Sequence, residues 1–318
     1  MSDLIRFQEK DAAMMRRLRE RARLLEALRR FFADRGFLEV ETPIVCSSPG
    51  VETHLAALET RIGRRPMYMT TSPEFHMKRL LAVGFERIFQ VTRAFRDGEV
   101  GDLHNPEFTM VEWYRTGAGY QAIMDDCEAL QASLATGLRG EPVAPAVPGV
   151  RPGLRLEPPY PRTTFADAFA AAGAGGSDRS PLDDRMRTFV DVVEPTLGRD
   201  GPEFLTDYPA DQASLGRLKS GDPSVAERFE LYAGGLELAN GFTELCDADE
   251  YLRRCDADLA DRRRLGLPEY PVDQRYVSML RDGLPPCAGV ALGFDRVAML
   301  LTGARSIGEV IAFPIDVA

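Results

Sequence analysis

The 318-residue chain is 44 % hydrophobic, enough for one large domain or two modest ones, and no apolar run reaches membrane-spanning length. Its net charge of −10 argues against general nucleic-acid binding, which basic side chains drive by neutralising phosphate, and suits a cationic substrate or partner. Residues Met1 to Phe32 are charged throughout and lack the apolar core of a signal peptide, so a cytoplasmic setting is expected.

In chain order, the first element is a helix over Met14 to Phe32. Leu18, Ala22, Leu25, Leu28 and Phe32 recur at helical spacing between arginines, and Gly36 ends it. A short segment, Leu38 to Thr42, runs into Pro43. Arg87 to Arg96 alternates as a strand, with Phe89, Val91 and Phe95 on one side and Gln90, Thr92, Ala94 and Arg96 on the other. After a polar loop, Glu107 to Tyr114 forms a second strand that pairs with the first as an antiparallel hairpin. Phe108, Met110, Glu112 and Tyr114 share one of its faces. Residues 137–162, rich in Pro, Gly and Ala, read as an exposed connection, and Ala171 to Ser180 is similar. Helices are expected near Ala248 to Arg264 and Asp273 to Asp282. The tail from Gly289 to Phe313 reads as strand, a helix from Asp295 to Leu301 capped by Asp295, then more strand. Hairpins with flanking helices indicate an α+β fold. The five cysteines form no CxxC pair and the three histidines lie far apart, so reduced structural thiols and no histidine metal cage are expected.

No Walker or dinucleotide glycine loop is present, so any phosphate must be held by other means. Three clusters offer that chemistry. Glu230, Glu237 and Glu244 are spaced by seven, but Gly234-Gly235 and Asn240-Gly241 disfavour a helix there. A hairpin turning at Ala233 to Gly235 would set Glu230 opposite Glu237. The pair is then either a solvated acidic edge or a divalent-cation site of the Mg²⁺ type, which takes one or two carboxylates plus phosphate oxygens. Arg96, at a strand end, can clamp a phosphate through its planar fork. The neighbouring face offers Phe108 for purine stacking, and Glu112 with Tyr114 for an ammonium. Finally, small residues in Gly289-Val290-Ala291-Leu292-Gly293 admit a ligand close to the backbone. The following Arg296 opposes the helix dipole, which an anion such as triphosphate would resolve.

Together these segments resemble the three signature motifs of class II aminoacyl-tRNA synthetases, most closely those of the lysyl type. FFADRGFLEVETP is similar to motif 1. The stretch from TSPEFHMKRL to HNPEFTMVEWY is similar to the lysine-pocket segment plus motif 2. GGLELANGFTEL and GVALGFDRVAML are similar to the metal/ATP strand and motif 3. The resemblance runs from about residue 14 to the C-terminus. It implies a single catalytic domain over 1–318, with a class II synthetase-like antiparallel sheet flanked by helices. It implies ATP as substrate with Mg²⁺ on Glu230 and Glu237. Arg96 and Arg296 would hold phosphates, with Arg96 and the cation neutralising charge in the transition state. His104, Asn105, Phe108, Glu237, Leu238 and Gly293 would surround ATP. Ser72, Glu74, Glu112, Tyr114, Glu244 and Ala291 would surround a lysine-type amino acid. Motif 1 implies a homodimer.

Two departures separate the chain from the tRNA-charging members. The motif 1 helix begins almost at residue 1, so no anticodon-binding domain and no anticodon recognition are expected. Ala291 stands where those enzymes have glycine, and one methyl there shifts amino-acid choice by ~1–3 kcal/mol. Both resemble the stand-alone family of elongation factor P (R)-β-lysine ligases, which implies lysine or β-lysine as substrate and elongation factor P as acceptor. Charging of a tRNA or small acceptor, and a silent regulator that only binds amino acid or nucleotide, are the alternatives. Motif 2 usually reads Arg-x-Glu. Here it reads Arg96-Asp97-Gly98-Glu99, so Glu99 can serve only if the loop bends differently.

Overall fold

A computed structural model of the chain describes residues 11–137, 154–176 and 179–318. The charged segment before residue 11, most of the expected connection at 137–162, and residues 177–178 lie outside them.

Helix α1 (Asp11–Ala33) leads to β1 (Leu38–Glu39). Strands β2 (Val45–Cys46), β3 (Glu59–Ile62) and β4 (Arg65–Met69) form a small sheet in the order β2-β4-β3. Helix α2 (Glu74–Ala82), strands β5 (Arg87–Phe95) and β6 (Glu107–Thr116), and helix α3 (Tyr120–Gly137) follow. Next come β7 (Arg162–Thr164), helices α4 (Phe165–Ala171) and α5 (Leu182–Thr188), and strands β8 (Glu203–Pro209), β9 (Leu218–Lys219), β10 (Asp222–Ala233) and β11 (Leu236–Thr243). Helices α6 (Ala248–Leu265) and α7 (Gln274–Gly283), strand β12 (Cys287–Gly293) and helix α8 (Phe294–Thr302) complete the order. Among the described residues, nine strands make the large sheet, ordered β1-β5-β6-β12-β11-β10-β8-β7 with β9 beside β10. The β1–β5 and β7–β8 pairs are parallel and the rest antiparallel. This is the expected antiparallel sheet with flanking helices.

Strand β6 crosses the middle of the sheet and is buried along most of its length. Its alternation splits it cleanly. Val111 and Trp113 belong to the main core, whereas Phe108, Met110, Glu112 and Tyr114 line a cavity. The α1 stripe is rotated from the expected one. Leu24, Leu28, Phe31 and Phe32 are its buried residues, while Ala22 is exposed. Phe32 stacks on Phe89 at 4.6 Å and lies 5.2 Å from Trp113, so α1 packs directly on the β5–β6 hairpin.

Three expectations change. Where the chain is described again after residue 153, Leu154, Leu156 and Tyr160 are buried in the main core. That end of the connection is therefore packed rather than exposed. After α8 the chain does not resume a strand. It turns at Gly303 (φ +66°), makes a short 3-10 turn at Ile307–Glu309, and folds back on the β5–β6 loop through Ile307 N–H to Asp102 O at 2.7 Å. Nor does Asp295 cap α8, whose N-cap is Gly293. Asp295 lies in the first turn and is buried. Its carboxylate accepts from the Thr109 N–H at 2.7 Å and from Arg21 Nη2 at 2.5 Å. One side chain thus joins α8, β6 and α1. Replacing Asp295 by Ala strands the Arg21 charge and the Thr109 N–H. The expected loss is about 3–5 kcal/mol of unfolding free energy in urea titration. A loss below ~1 kcal/mol would show that the pair does not hold the elements together.

Candidate active site

A cavity of about 450 Å³ opens over the β10-β11-β12-β6 face of the sheet. It is lined by Ser72, Glu74, Arg96, His104, Asn105, Phe108, Glu112, Tyr114, Glu230, Glu237, Leu238, Ala291, Gly293 and Arg296. Of the residues expected at the site, Glu244 alone stands behind the wall.

One end of the cavity is basic. The Arg96 guanidinium lies 5.2 Å from the Phe108 ring centroid and its Nη1 is 3.7 Å from Glu99. Gly98, at φ +79°, turns the loop so that Glu99 reaches Arg96 and the cavity. The displaced motif glutamate is therefore brought back to the site. Arg296, in the first turn of α8, donates to the Glu237 carbonyl at 2.9 Å and to His104 Nε2 at 2.7 Å. With Nε2 accepting, His104 carries its proton on Nδ1. Burial and the neighbouring Arg296 hold its pKa below the ordinary value, so it is neutral. Asn105 is fully engaged, donating to Glu107 O at 2.6 Å and accepting from Ile315 N at 2.9 Å. It fixes loop and tail. The arginines face a cavity large enough for a nucleotide, and Phe108 of β6 offers an aromatic face beside Arg96.

Glu230 and Glu237 line the same wall, but not in the expected register. The turn is Gly234-Gly235, with φ of +62° and +74°, and a bulge follows. Glu230 pairs with Asn240, and Glu237 with Tyr232. The two carboxylates are diagonal neighbours rather than opposite. Glu230 accepts from Arg228 Nη2 and the Tyr232 hydroxyl, each at 2.6 Å. Glu237 has Arg296 Nη1 at 3.5 Å, and burial together with Glu230 pushes its carboxyl up to about 7. Among the described residues no group of three or more His, Cys, Asp and Glu is set to hold a metal by itself. Two carboxylates that repel each other on one cavity wall do fit a Mg²⁺ that would complete its shell with phosphate oxygens and water.

The other end is acidic. Glu112 is buried, accepting from the Ser72 hydroxyl at 2.5 Å and the Tyr114 hydroxyl at 2.9 Å. Tyr114 is thus bonded directly to Glu112, which leaves no gap between the two for the ammonium expected there. Burial, then Glu74, push the Glu112 carboxyl up to about 8. Gly289 allows this arrangement, because a Cβ there would stand 2.1 Å from the Tyr114 ring. Ala291 pairs in register with Glu112 on one side and Asn240 on the other, so its methyl stands at the middle of the wall. Glu244 pairs with Lys78 Nζ at 2.5 Å, both side chains wholly buried, and Lys78 also bonds Glu74. Burial disfavours the Lys78 ammonium, but Glu244 and Glu74 outweigh it and hold its pKa well above the ordinary value.

Sequence reasoning missed Lys78, Arg228, Asn240, Glu52 and Ser214. Lys78 had one available signal: it lies four residues after Glu74, on the same helix face. Arg228 likewise lies two residues before Glu230 on one strand face; Glu52, Ser214 and Asn240 are brought in by contacts distant in sequence.

The raised Glu112 carboxyl has a consequence for stability. Between its unfolded value near 4.3 and about 8 it keeps in the folded state a proton that the unfolded chain has lost. Its contribution is therefore present below that window and lost as pH rises through it. Melting temperatures from pH 5 to 8.5 should fall less steeply with pH for Glu112→Gln than for the parent chain. Parallel profiles would contradict the assignment.

The chain matches the family model for tRNA synthetases class II (D, K and N) over residues 5–317. It is 41 % identical over 328 aligned positions to the Elongation factor P--(R)-beta-lysine ligase of Yersinia pestis (strain Pestoides F), covering 100 % of both chains. The same-named protein of Yersinia pseudotuberculosis serotype O:1b (strain IP 31758) gives the same identity and coverage.

Proposed function

The chain belongs to the class II tRNA synthetase family of the D, K and N type, and from that premise we propose that it activates (R)-β-lysine with ATP and transfers it to a lysine side chain of elongation factor P. It is an ATP-dependent, AMP-forming ligase. The observation that carries the reading is the order of groups along β6. Phe108, beside Arg96, stands at one end of the cavity, and Glu112 and Tyr114 stand at the other. Six residues at ~3.3 Å each span roughly 20 Å, the length of an adenylate joined to an extended amino acid.

The reacting carboxylate attacks the α-phosphorus in line, forming the mixed anhydride and releasing pyrophosphate. Arg96 bears on the α-phosphate and Arg296 on the γ-phosphate. Both neutralise charge that develops in the transition state. Glu230 and Glu237 would hold a Mg²⁺, which would supply further neutralisation of the phosphate charge. His104, kept neutral, orients Arg296 without repelling it. The acceptor amine then attacks the anhydride carbonyl, AMP leaves, and an amide forms with loss of a proton. No side chain of this protein needs to act as a covalent nucleophile. Positioning and charge neutralisation supply the rate.

The proposal extends to a cytoplasmic homodimer that does not read an anticodon. Support for the dimer comes from Leu38 and Ile44, exposed apolar residues following α1. No helix among the described residues is long and apolar enough to cross a membrane.

Labelled (R)-β-lysine, ATP and the protein should place label on elongation factor P and not on bulk tRNA. Label on tRNA alone would overturn the acceptor. The Ala291 methyl faces the amino-acid path, so Ala291→Gly should shift the adenylation preference towards α-lysine by roughly 10-fold or more. An unchanged ratio of rates for the two isomers would show that this methyl does not read the amine position.

A further inference from the structure

The acidic end of the cavity holds more carboxyl groups than the roles above employ. Glu74 and Glu244 share the single cation Lys78. Among the described residues, Glu112 has only hydroxyl partners. A fourth carboxylate, Glu52, also lines the cavity. Its one hydrogen bond is from the Ser214 hydroxyl, at 2.8 Å, and among the described residues no lysine, arginine or histidine lies within ion-pair distance of it. Burial, and then Glu74, push its carboxyl above the ordinary range. A carboxyl group that lines the cavity without a protein cation is open to one from outside.

The protein holds Glu52 in place from two sides. Arg262 of α6 is fully buried and, among the described residues, meets no carboxylate. It donates to four backbone carbonyls instead: Glu52 at 2.7 Å, Thr53 and Leu55 at 3.1 Å, and Pro268 at 2.6 Å. Its guanidinium lies 4.4 Å from the Tyr270 ring centroid. This arginine therefore shapes the loop that presents Glu52. On the other side, Ser214 adopts φ +48°, and Arg254 of the same helix donates to the Ser214 carbonyl at 2.6 Å. A non-glycine residue in that conformation is strained, and here the strain aims its hydroxyl at Glu52. Two arginines of one helix, Arg254 and Arg262, fix the two loops whose side chains meet at this carboxylate.

The surroundings of Glu52 indicate which cation it takes. Glu74 and Arg96 both act electrostatically on it. Arg96 marks the α-phosphate, where the reacting carboxylate must lie. Glu112 and Tyr114 stand farther along β6, with Lys78 and Glu244 behind them. A substrate with two ammonium groups and a carboxylate meets two carboxylates that lack a protein cation, Glu112 at one position and Glu52 at the other.

We propose that Glu52 binds the substrate amino group nearest the reacting carboxylate, and so sets where along the carbon chain that amine must stand. The inference rests on the reading of the site as a diamino-acid-activating centre. Glu52 is a specificity-determining residue, with Ser214 and Arg262 as its positioning residues.

The test compares the parent protein with Glu52→Gln, which keeps the shape and the Ser214 bond while removing the charge. Two ligands are used: (R)-β-lysine in ATP–pyrophosphate exchange, and 6-aminohexanoate, which lacks the amine in question, as a competitive inhibitor. Glu52→Gln should raise KM for (R)-β-lysine roughly 10- to 100-fold, the size of a lost hydrogen bond to a charged group, with kcat changed little. The inhibition constant of 6-aminohexanoate should stay within about threefold. Equal weakening of both ligands would show a structural role and overturn the proposal. An unchanged KM for (R)-β-lysine would overturn it as well. If the parent protein activates no diamino acid at all, the functional reading fails and the inference falls with it. Ser214→Ala provides the second variant, expected to act in the same direction with a smaller effect.

Discussion

The cavity depends on the two-residue period of a single strand. In β6 the odd residues Val111 and Trp113 lie in the main core with Phe32 and Phe89. The even residues Phe108, Met110, Glu112 and Tyr114 line the site. A slip of one residue would bury the carboxylate in an apolar core and turn the indole into the cavity, which is why register here is strongly specified. The neighbours reinforce it. Asp295 accepts the Thr109 N–H, and Gly289 leaves room for the Tyr114 ring where any Cβ would collide. Core packing and ligand geometry are thus two faces of one constraint.

Charge is organised along the same line. Arginines gather where phosphate would lie and carboxylates where an amine would lie. Each set is incomplete within the protein itself. Glu237 and Glu112 are pushed to about 7 and about 8 by burial and like-charged neighbours. Such groups are destabilising in a vacant site and become favourable when a cation arrives. Lys78 limits the excess by tying Glu74 to Glu244, which keeps one glutamate out of the cavity wall. The family resemblance placed Glu244 around a lysine-type amino acid. In this structure it is wholly buried behind the wall and paired with Lys78.

What could be read from the sequence follows from the range of the forces involved. The β5–β6 hairpin was legible because alternation over nine and ten residues is a local signal. Helices α1, α6 and α7 were legible for the same reason, at helical period. The register of Glu230 and Glu237 was not, because it hangs on a two-glycine turn and a bulge whose position the cross-strand partners decide. Asp295 looked like a cap because caps are local, yet its partners lie 186 and 274 residues away. Glu52 carried no pattern at all, since its role rests on Arg262, 210 residues later, holding its loop. The phosphate end was recognisable through motif resemblance, and Gly98 shows how the irregular motif 2 still delivers Glu99 to Arg96.

The central claim is that the groups along this wall form an acyl-adenylate unaided by any acceptor or covalent nucleophile. ATP–pyrophosphate exchange, run with (R)-β-lysine and no acceptor, tests it most directly. The account predicts amino-acid-dependent exchange that falls on the order of 10²- to 10³-fold in Arg96→Ala. Exchange that is absent until an acceptor is added, or that is indifferent to Arg96, would contradict it.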